Sequence, residues 1–262
     1  MVAVGEEAQV SLAGTPDAEA RRARLRETLL SQGVVLLADA ARRFEVHPMT
    51  IRRDFEHLEN SGLARRVRGG IVSAGGEGFA QRRNRRAAAK RRIGRKLLEL
   101  VEPGCALGLD SSTTVHALAE VVAAGQGISV VTTGLEAFDT LRGRGGVRCY
   151  LTGGEHEEEN SSLVGPLAVN ALRTFHLDVC FLSALGVHPV TGTSESTLEQ
   201  ASVKEAMASA SARVVLAVDS SKLGSRSRVR ALPLERADVL VTELDPADER
   251  LEEYRHRVGE LR

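Results

Sequence analysis

VHPMTIRRDFEHLENSGLARRVRGG, Val46 to Gly70, is the stretch on which the reading of this chain turns. Ile51, Phe55 and Leu58 recur at i, i+4 and i+7, so they share one face of a helix. At 100° per residue, Met49, Arg53, Glu56 and Asn60 fall opposite them, with Thr50 and Arg52 on the flanks. A helix anchored by Ile, Phe and Leu that turns paired arginines outward suits a major groove. The planar guanidinium can pair with a guanine edge or with a phosphate. Pro48 fits the first helical position, where its missing N–H would have no partner anyway. Gly62 ends the helix. Leu63 to Arg68 then alternates apolar and basic residues, and Gly69-Gly70 turns the chain back into Ile71-Val72. The result is a small two-stranded wing that carries Arg65, Arg66 and Arg68 toward a phosphate backbone.

Working upstream, Ala23 to Leu30 reads as a first helix with Leu25, Leu29 and Leu30 inward, ended by Gly33. Leu36 to Phe44 reads as a second, with Leu37, Ala40, Ala41 and Phe44 inward. Only Glu45, Val46 and His47 separate it from the arginine-bearing helix, the connector length of a helix-turn-helix. The candidate DNA contacts are His47, Pro48, Met49, Thr50, Arg52 and Arg53, with Arg65, Arg66 and Arg68 on the wing. A helical pair with arginines can also be a plain solvated hairpin. Here the short turn, the arginine face and the basic wing coincide, which favours a reader of double-stranded DNA.

The chain has 262 residues and no net formal charge, but the charge is unevenly spread. From Asp17 to Lys96 there are 20 Lys and Arg against 9 Asp and Glu; from Leu97 onward there are 15 against 24. A basic front and an acidic remainder suggest a nucleic-acid module joined to a part that need not touch nucleic acid. The expected organisation is a disordered tail over 1–17, a winged helix-turn-helix over 18–74, a linker and basic helix over 75–96, and an effector-sensing α/β domain over 97–262. The linker proper is Ser73 to Gly78. Ile93, Leu97, Leu98 and Val101 give the basic run one apolar side. Cys105, Cys149 and Cys180 show no metal-binding spacing and read as reduced core residues of a cytoplasmic protein. No metal and no cofactor are expected. No apolar run approaches a membrane span, and the first residues lack the pattern of a secretory signal.

From Cys105 short aliphatic runs alternate with helical stretches. CALGLD, ISVVTT, VRCYLTGG, DVCFLSALG, RVVLAVD and DVLVTE read as strands. Thr114–Ala123, Leu135–Leu141, Gly165–Arg173 and Leu198–Ala210 read as helices. Continuous aliphatic strands with helical crossovers imply a mostly parallel sheet covered on both faces. Ligands of such sheets bind beyond the carboxyl ends of the strands. Polar residues gather there: Asp110, Ser111, Ser112, Thr113 and Thr114 after the first strand, Thr132, Thr133 and Gly134 after the second, Gly153 and Gly154 after the third. Asp219 to Lys222 follow RVVLAV, and Lys204 lies on the helix after Glu199. Each motif alone is as readily a cap or a turn. Together they suggest one anion site, with Ser111–Thr114 opening a helix as a phosphate cradle and Lys222 offering an ammonium.

These residues together resemble the DeoR family of bacterial transcriptional regulators, over nearly all of Ala23–Asp245. The family hallmark, a valine and then a TIRRD stretch ending in Leu-Glu and Gly, matches VHPMTIRRDFEHLENSG, and its RxxGG matches Arg66–Gly70. Phe79, Arg82, Lys90 and Ile93 match its positions after the linker. Asp110–Thr114 is similar to its Asp-Ser-Gly-Thr-Thr loop. Gly153-Gly154, Gly165-Pro166, Asp178–Phe181, Lys204 and Asp219–Lys222 follow in order. The resemblance implies a winged helix-turn-helix joined to an effector domain similar to ribose-5-phosphate isomerase. It also implies a phosphorylated sugar or related metabolite as effector, held by Ser111–Thr114, Gly153-Gly154 and Lys222. The chain departs from the pattern at His47, where serine is usual and caps better. It departs again at Ser112, in place of glycine, and at Thr132-Thr133-Gly134, in place of Thr-Asn-Ser.

The expected function is a DNA-binding regulator, a repressor of carbohydrate genes, working as a homo-oligomer (dimer or tetramer) without membrane contact. One alternative is a sugar-phosphate isomerase that has gained a DNA module. Such an enzyme needs carboxylates to move protons, and Ser183, Ala184, Leu185 and Gly186 stand where an acidic cluster is expected. The other alternative is a constitutive DNA binder with a degenerate pocket.

Overall fold

The computed structural model describes residues 16–73 and 78–262. Most of the expected tail, and the centre of the expected linker, lie outside the described residues. Two compact units divide the chain, Met1–Gln81 and Arg82–Arg262.

In the first unit α1 (Pro16–Gln32) begins earlier than its apolar residues suggest, so Pro16 and Asp17 are helical rather than part of a tail. Gly33 follows with φ +65°. Next come β1 (Val34–Leu36), α2 (Leu37–Arg43), α3 (Pro48–Asn60), β2 (Ala64–Val67) and β3 (Gly70–Ser73). The wing is therefore not a simple hairpin. β3 pairs antiparallel with β2 and with β1, in the order β1-β3-β2. Leu36, expected to open a helix, ends a strand and is exposed. Leu25, Leu29, Ile51, Phe55, Leu58 and Ile71 form the core. Burying each such side chain is worth roughly 1.5–3 kcal/mol, so α3 is held by tertiary packing rather than by its own propensity. Beneath it, Arg21 Nε donates to the buried Asp54 Oδ2 at 2.6 Å.

The boundary falls within α4 (Phe79–Asn84), and the second unit continues through α5 (Ala87–Leu98), β4 (Ala106–Leu109), α6 (Thr113–Val121), β5 (Ile128–Thr132), α7 (Leu135–Leu141) and β6 (Val147–Leu151). A hairpin, β7 (Glu155–Glu157) and β8 (Ser162–Val164), leads into α8 (Gly165–Arg173) and β9 (Leu177–Leu182). The chain then forms β10 (Gly186–His188), β11 (Gly192–Glu195), α9 (Leu198–Ser209), β12 (Ser211–Ala217) and β13 (Val229–Arg230). It ends with β14 (Val239–Val241), α10 (Glu252–Arg255) and β15 (Glu260–Leu261). All six expected strands are present. They join β15 in one seven-stranded sheet of order β15-β14-β12-β9-β4-β5-β6, and every pairing is parallel.

Alternation along the strands splits the core in two, as expected of a sheet buried on both faces. Leu107, Leu109, Val130, Val179, Phe181 and Val215 pack with Ile93, Leu97, Val115 and Leu118 of α5 and α6. Val131, Cys180, Leu182 and Val214 pack with Leu172, Val203 and Met207 of α8 and α9. Burial pushes the Cys180 thiol up to about 12 and Cys149 to about 11, so neither is a reactive thiolate. The basic run is not one helix. It breaks at Arg86, whose φ of 54° places it in the left-handed region between α4 and α5.

Candidate functional site

On the first unit, α3 presents Met49, Arg52 and Arg53 to solvent while Ile51, Phe55 and Leu58 point inward. Thr50 is half-buried at the edge, and Pro48 occupies the first turn. His47 caps the helix after all: its Nδ1 accepts from Met49 N at 3.2 Å. With Nδ1 accepting, the ring proton sits on Nε2 and remains free to donate outward. Arg53, Arg65 and Arg68 are exposed and have no side-chain partner among the described residues. Arg66 differs from them. Its Nε donates to Glu59 Oε2 at 3.1 Å and its Nη2 to Arg52 O at 3.0 Å, tying β2 to α3. Sequence reading had grouped it with the free wing arginines.

On the second unit, the carboxyl ends of the adjacent strands β9, β4 and β5 bring Ser183, Asp110 and Thr133 together. Asp110 organises the loop. Its Oδ1 accepts from Ser112 N at 2.9 Å and its Oδ2 from Ser183 N at 2.7 Å. Ser112 Oγ then caps α6 through Val115 N at 3.1 Å. The amides of Thr113 and Thr114, in the first turn, have no earlier helical carbonyl to bond. Gly134 lies against this loop: a Cβ there would fall 2.9 Å from Ser111 Cα. Ser111, Thr113, Thr114, Thr133 and Ser183 are all buried. Among the described residues none of their hydroxyls has a hydrogen-bond partner, and none is sealed off from solvent. Buried hydroxyls ordinarily find partners, so five that do not, around three strand ends, make this the candidate ligand site.

Gly153 and Gly154 follow β6 with φ of 76° and 125°. A Cβ at Gly154 would meet Val164 O at 2.5 Å, whereas Gly153 faces open space. Packing on β8 therefore explains Gly154, and ligand approach remains open only at Gly153. The turn Ser220–Lys222 after β12 is capped by Asp219, whose Oδ1 accepts from Ser221 N at 3.0 Å. Lys222 is half-buried, and its ammonium has no partner among the described residues. Arg86 grips the same turn: Nε pairs with Asp219 at 3.0 Å and Nη2 with Glu243 at 2.7 Å and Ser220 Oγ at 2.7 Å. Burial drives the Lys90 ammonium down to about 8; Asp219 opposes this, and Lys222, Arg82 and Arg85 add to it. That opposition among cations locates a concentration of positive charge beside Lys222.

Lys204 is placed differently from Lys222. It is enclosed, donating to Glu195 Oε1 at 2.5 Å and Ser183 O at 2.6 Å, with Asp110 Oδ2 at 3.4 Å. Burial works to lower its pKa, but Glu195 and Asp110 outweigh it, so the ammonium is held charged. Burial raises the Glu195 carboxyl, against the pull of Lys204. The stretch Ser183–Gly186 carries no acid, but Glu195 at the end of β11 joins Asp110, just after β4, to bring two carboxylates to Lys204. Glu195 was missed because an acid in TSESTLEQ looks like surface, whereas it ends β11, a strand buried along its whole length. Among the described residues no His, Cys, Asp and Glu cluster could hold a metal. No helix there is long and apolar enough to cross a membrane.

The family of DeoR-like helix-turn-helix domains matches residues 21–75, and that of DeoR C-terminal sensor domains matches residues 85–244. The chain belongs to the DeoR family of transcriptional regulators. Its relatives include the uncharacterised HTH-type transcriptional regulator YgbI of Escherichia coli K12, 34% identical over 227 residues, covering 85% of this chain and 89% of that one. The glycerol-3-phosphate regulon repressor of the same organism is 28% identical over 223 residues, covering 84% and 88%. Ribose 5-phosphate isomerase from Plasmodium falciparum overlaps 55% of this chain and 54% of its own, at 13% identity and a TM-score of 0.35. That likeness is too slight to carry an argument, and the fold rests on the sheet itself. The structure absorbs the departures from the DeoR pattern. Ser112 has an ordinary φ of −73° and uses its hydroxyl as the helix cap. Thr132 Oγ1 donates to Leu109 O at 2.8 Å and accepts from Gly134 N at 3.0 Å, closing the second strand end onto the first.

Proposed function

We propose that this DeoR-family chain is a repressor of carbohydrate genes that binds operator DNA through α3 and the wing and is controlled by a phosphorylated sugar or related metabolite. The observation that carries the effector half is the group of five unpartnered hydroxyls at the ends of β9, β4 and β5, with Lys222 in the turn after the neighbouring β12. The first turn of α6 and the Lys222 ammonium both favour an anion. The printed name of the glycerol-3-phosphate regulon repressor adds support for a phosphorylated effector. Asp110, Ser111, Ser112, Thr113, Thr114, Thr133, Gly153 and Lys222 are the proposed contacts, with Lys204 holding the site from behind. The carboxylates around Lys204 are read as ligand holders rather than proton shuttles, because one ammonium engages both. A cytoplasmic location fits free thiols and a nucleic-acid partner. Titrating sugar phosphates against operator binding is the test: a response supports control, and none at millimolar concentration leaves a constitutive DNA binder.

For the DNA half, Arg53→Ala is expected to lower specific affinity by about 1–3 kcal/mol and to relax sequence choice. Arg65→Ala and Arg68→Ala should weaken all sequences alike and flatten the salt dependence. Arg66→Ala should instead loosen the wing. Fluorescence anisotropy at several salt concentrations reads all four. Unchanged specificity ratios in Arg53→Ala would remove it from base reading.

The working form is expected to be at least a dimer, since one recognition helix covers too few base pairs to find a site in a genome. Leu167 on α8 and Leu198 on α9 stand 71% and 68% exposed, on helices that pack against each other. Large apolar side chains so displayed suit an interface. Light scattering that returned a monomer at micromolar concentration, with and without DNA, would contradict this.

A further inference from the structure

We propose that Glu195 selects the effector: its free carboxylate oxygen receives a neutral hydroxyl of the ligand, so that the site admits singly phosphorylated sugars and polyols and rejects those carrying a second anion at the far end. The inference rests on the effector reading above and names the ligand class for that same site. Glu195 is 4% exposed. Its Oε1 is held by Lys204 at 2.5 Å, whereas Oε2 has no partner among the described residues and is not sealed off. A buried carboxylate oxygen in that state accepts a hydrogen bond from whatever enters.

Lys204 cannot convert this end into an anion site. Its ammonium is spent on Glu195, Ser183 O and Asp110. Two carboxylates around one ammonium leave one negative charge in excess. Free positive charge lies instead on Lys222, within electrostatic reach of Glu195, with Lys90 beside it. The two ends belong to one site: Leu223, next to Lys222, bridges to Val187 of β10, and β10 pairs with β11, which carries Glu195. The hydroxyls of Ser111, Thr133 and Ser183 lie beside Asp110 and can donate or accept as a ligand requires. A phosphate at the Lys222 end and an uncharged polyol at the Glu195 end satisfy both poles. A carboxylate or second phosphate at the Glu195 end meets the like charge of a buried carboxylate.

The test is calorimetry on the full chain, using ligand pairs of three to six carbons. Each pair is a polyol monophosphate and the aldonic acid phosphate of the same length, which differ only in a terminal hydroxymethyl or carboxylate. The wild type is expected to bind the polyol member of at least one pair a hundredfold or more tighter than its acid partner. Glu195→Gln should compress that ratio below tenfold by gaining affinity for the acid; Glu195→Asp, which keeps the charge, should preserve the preference. Thermal melts check that both variants fold, and the wild-type ratio stands if either does not. Equal binding of both members by the wild type, or equal weakening of both in a folded Glu195→Gln, overturns the role of Glu195 while leaving the phosphorylated effector intact. Absence of binding by every phosphorylated compound overturns the effector reading itself.

Discussion

Lys204→Met is expected to destabilise the second unit by about 3–5 kcal/mol at neutral pH, measured as a lower midpoint in urea denaturation. The substitution roughly keeps side-chain volume and removes only the charge. It leaves Glu195 and Asp110 facing each other, buried, without the ammonium that lies 2.5 Å and 3.4 Å from them. Removing one partner of a buried ion pair costs this much because the other charge stays behind uncompensated. The loss should depend on pH, and its sign follows from linkage. Glu195 already titrates above its ordinary value in the native protein, because of burial. Without Lys204 it rises further. A carboxyl with a raised native pKa favours the fold when protonated, and that contribution fades as pH climbs through the native pKa. The deficit should therefore be smallest near pH 4.5 and grow from there toward neutrality. A loss below 1 kcal/mol at pH 7, or one that does not vary with pH, would show that the cluster is solvated and not under electrostatic stress.

Lys222→Ala should behave in the opposite way, with little effect on stability and a large one on control. Lys222 is half-buried and its ammonium makes no bond among the described residues, so its removal leaves nothing unsatisfied. A hydrogen bond to a charged group is worth about 1.5–3 kcal/mol, so effector affinity should fall roughly 10- to 150-fold. Operator binding without effector should stay near normal. Because coupling is reciprocal, a ligand that weakens DNA binding must itself be weakened by DNA to the same extent. Lys222→Ala should then lose the response at concentrations that release the wild type. Tight binding of an unphosphorylated sugar, indifferent to Lys222→Ala and to Thr113→Val, would place the effector elsewhere.

The contrast between these two lysines shows what could be read from sequence. Both stood out as cations near strand ends, and nothing in the local pattern separated them. What separates them is the partner each meets: Glu195, on a different element from Lys204, is brought to it by the turn from β11 into α9. The aliphatic runs of the parallel sheet were legible because strands buried on both faces carry their signal in every residue. β1 was not, since three residues give no periodicity and Val34 and Leu36 are exposed; pairing with β3 makes it a strand. β15, two residues long, joins the sheet only through β14. The basic run looked helical throughout, yet Arg86 breaks it, because its pairing with Asp219 and Glu243 outweighs local propensity. The site hydroxyls were found by position alone; that they lack partners is a property of the folded chain.

The strand order has a consequence for how the chain acquires its shape. β4, β5 and β6 pair in the sequence in which they are made, but β9 must return to the far side of β4, and β12 then adds beyond β9. Until β9 arrives, β4 keeps a bare edge of backbone donors and acceptors in a strongly aliphatic strand. The winged unit closes its core within far fewer residues. Long-range parallel pairing is slow, and unpaired edges are exposed to aggregation while it proceeds. The nascent protein should thus hold a finished DNA reader while its sensor is still open. Pulsed hydrogen exchange during refolding, with α3 amides protected before those of β4, would show this order. Crowding and chaperone supply should then set the yield of functional regulator through the sheet rather than through the winged unit.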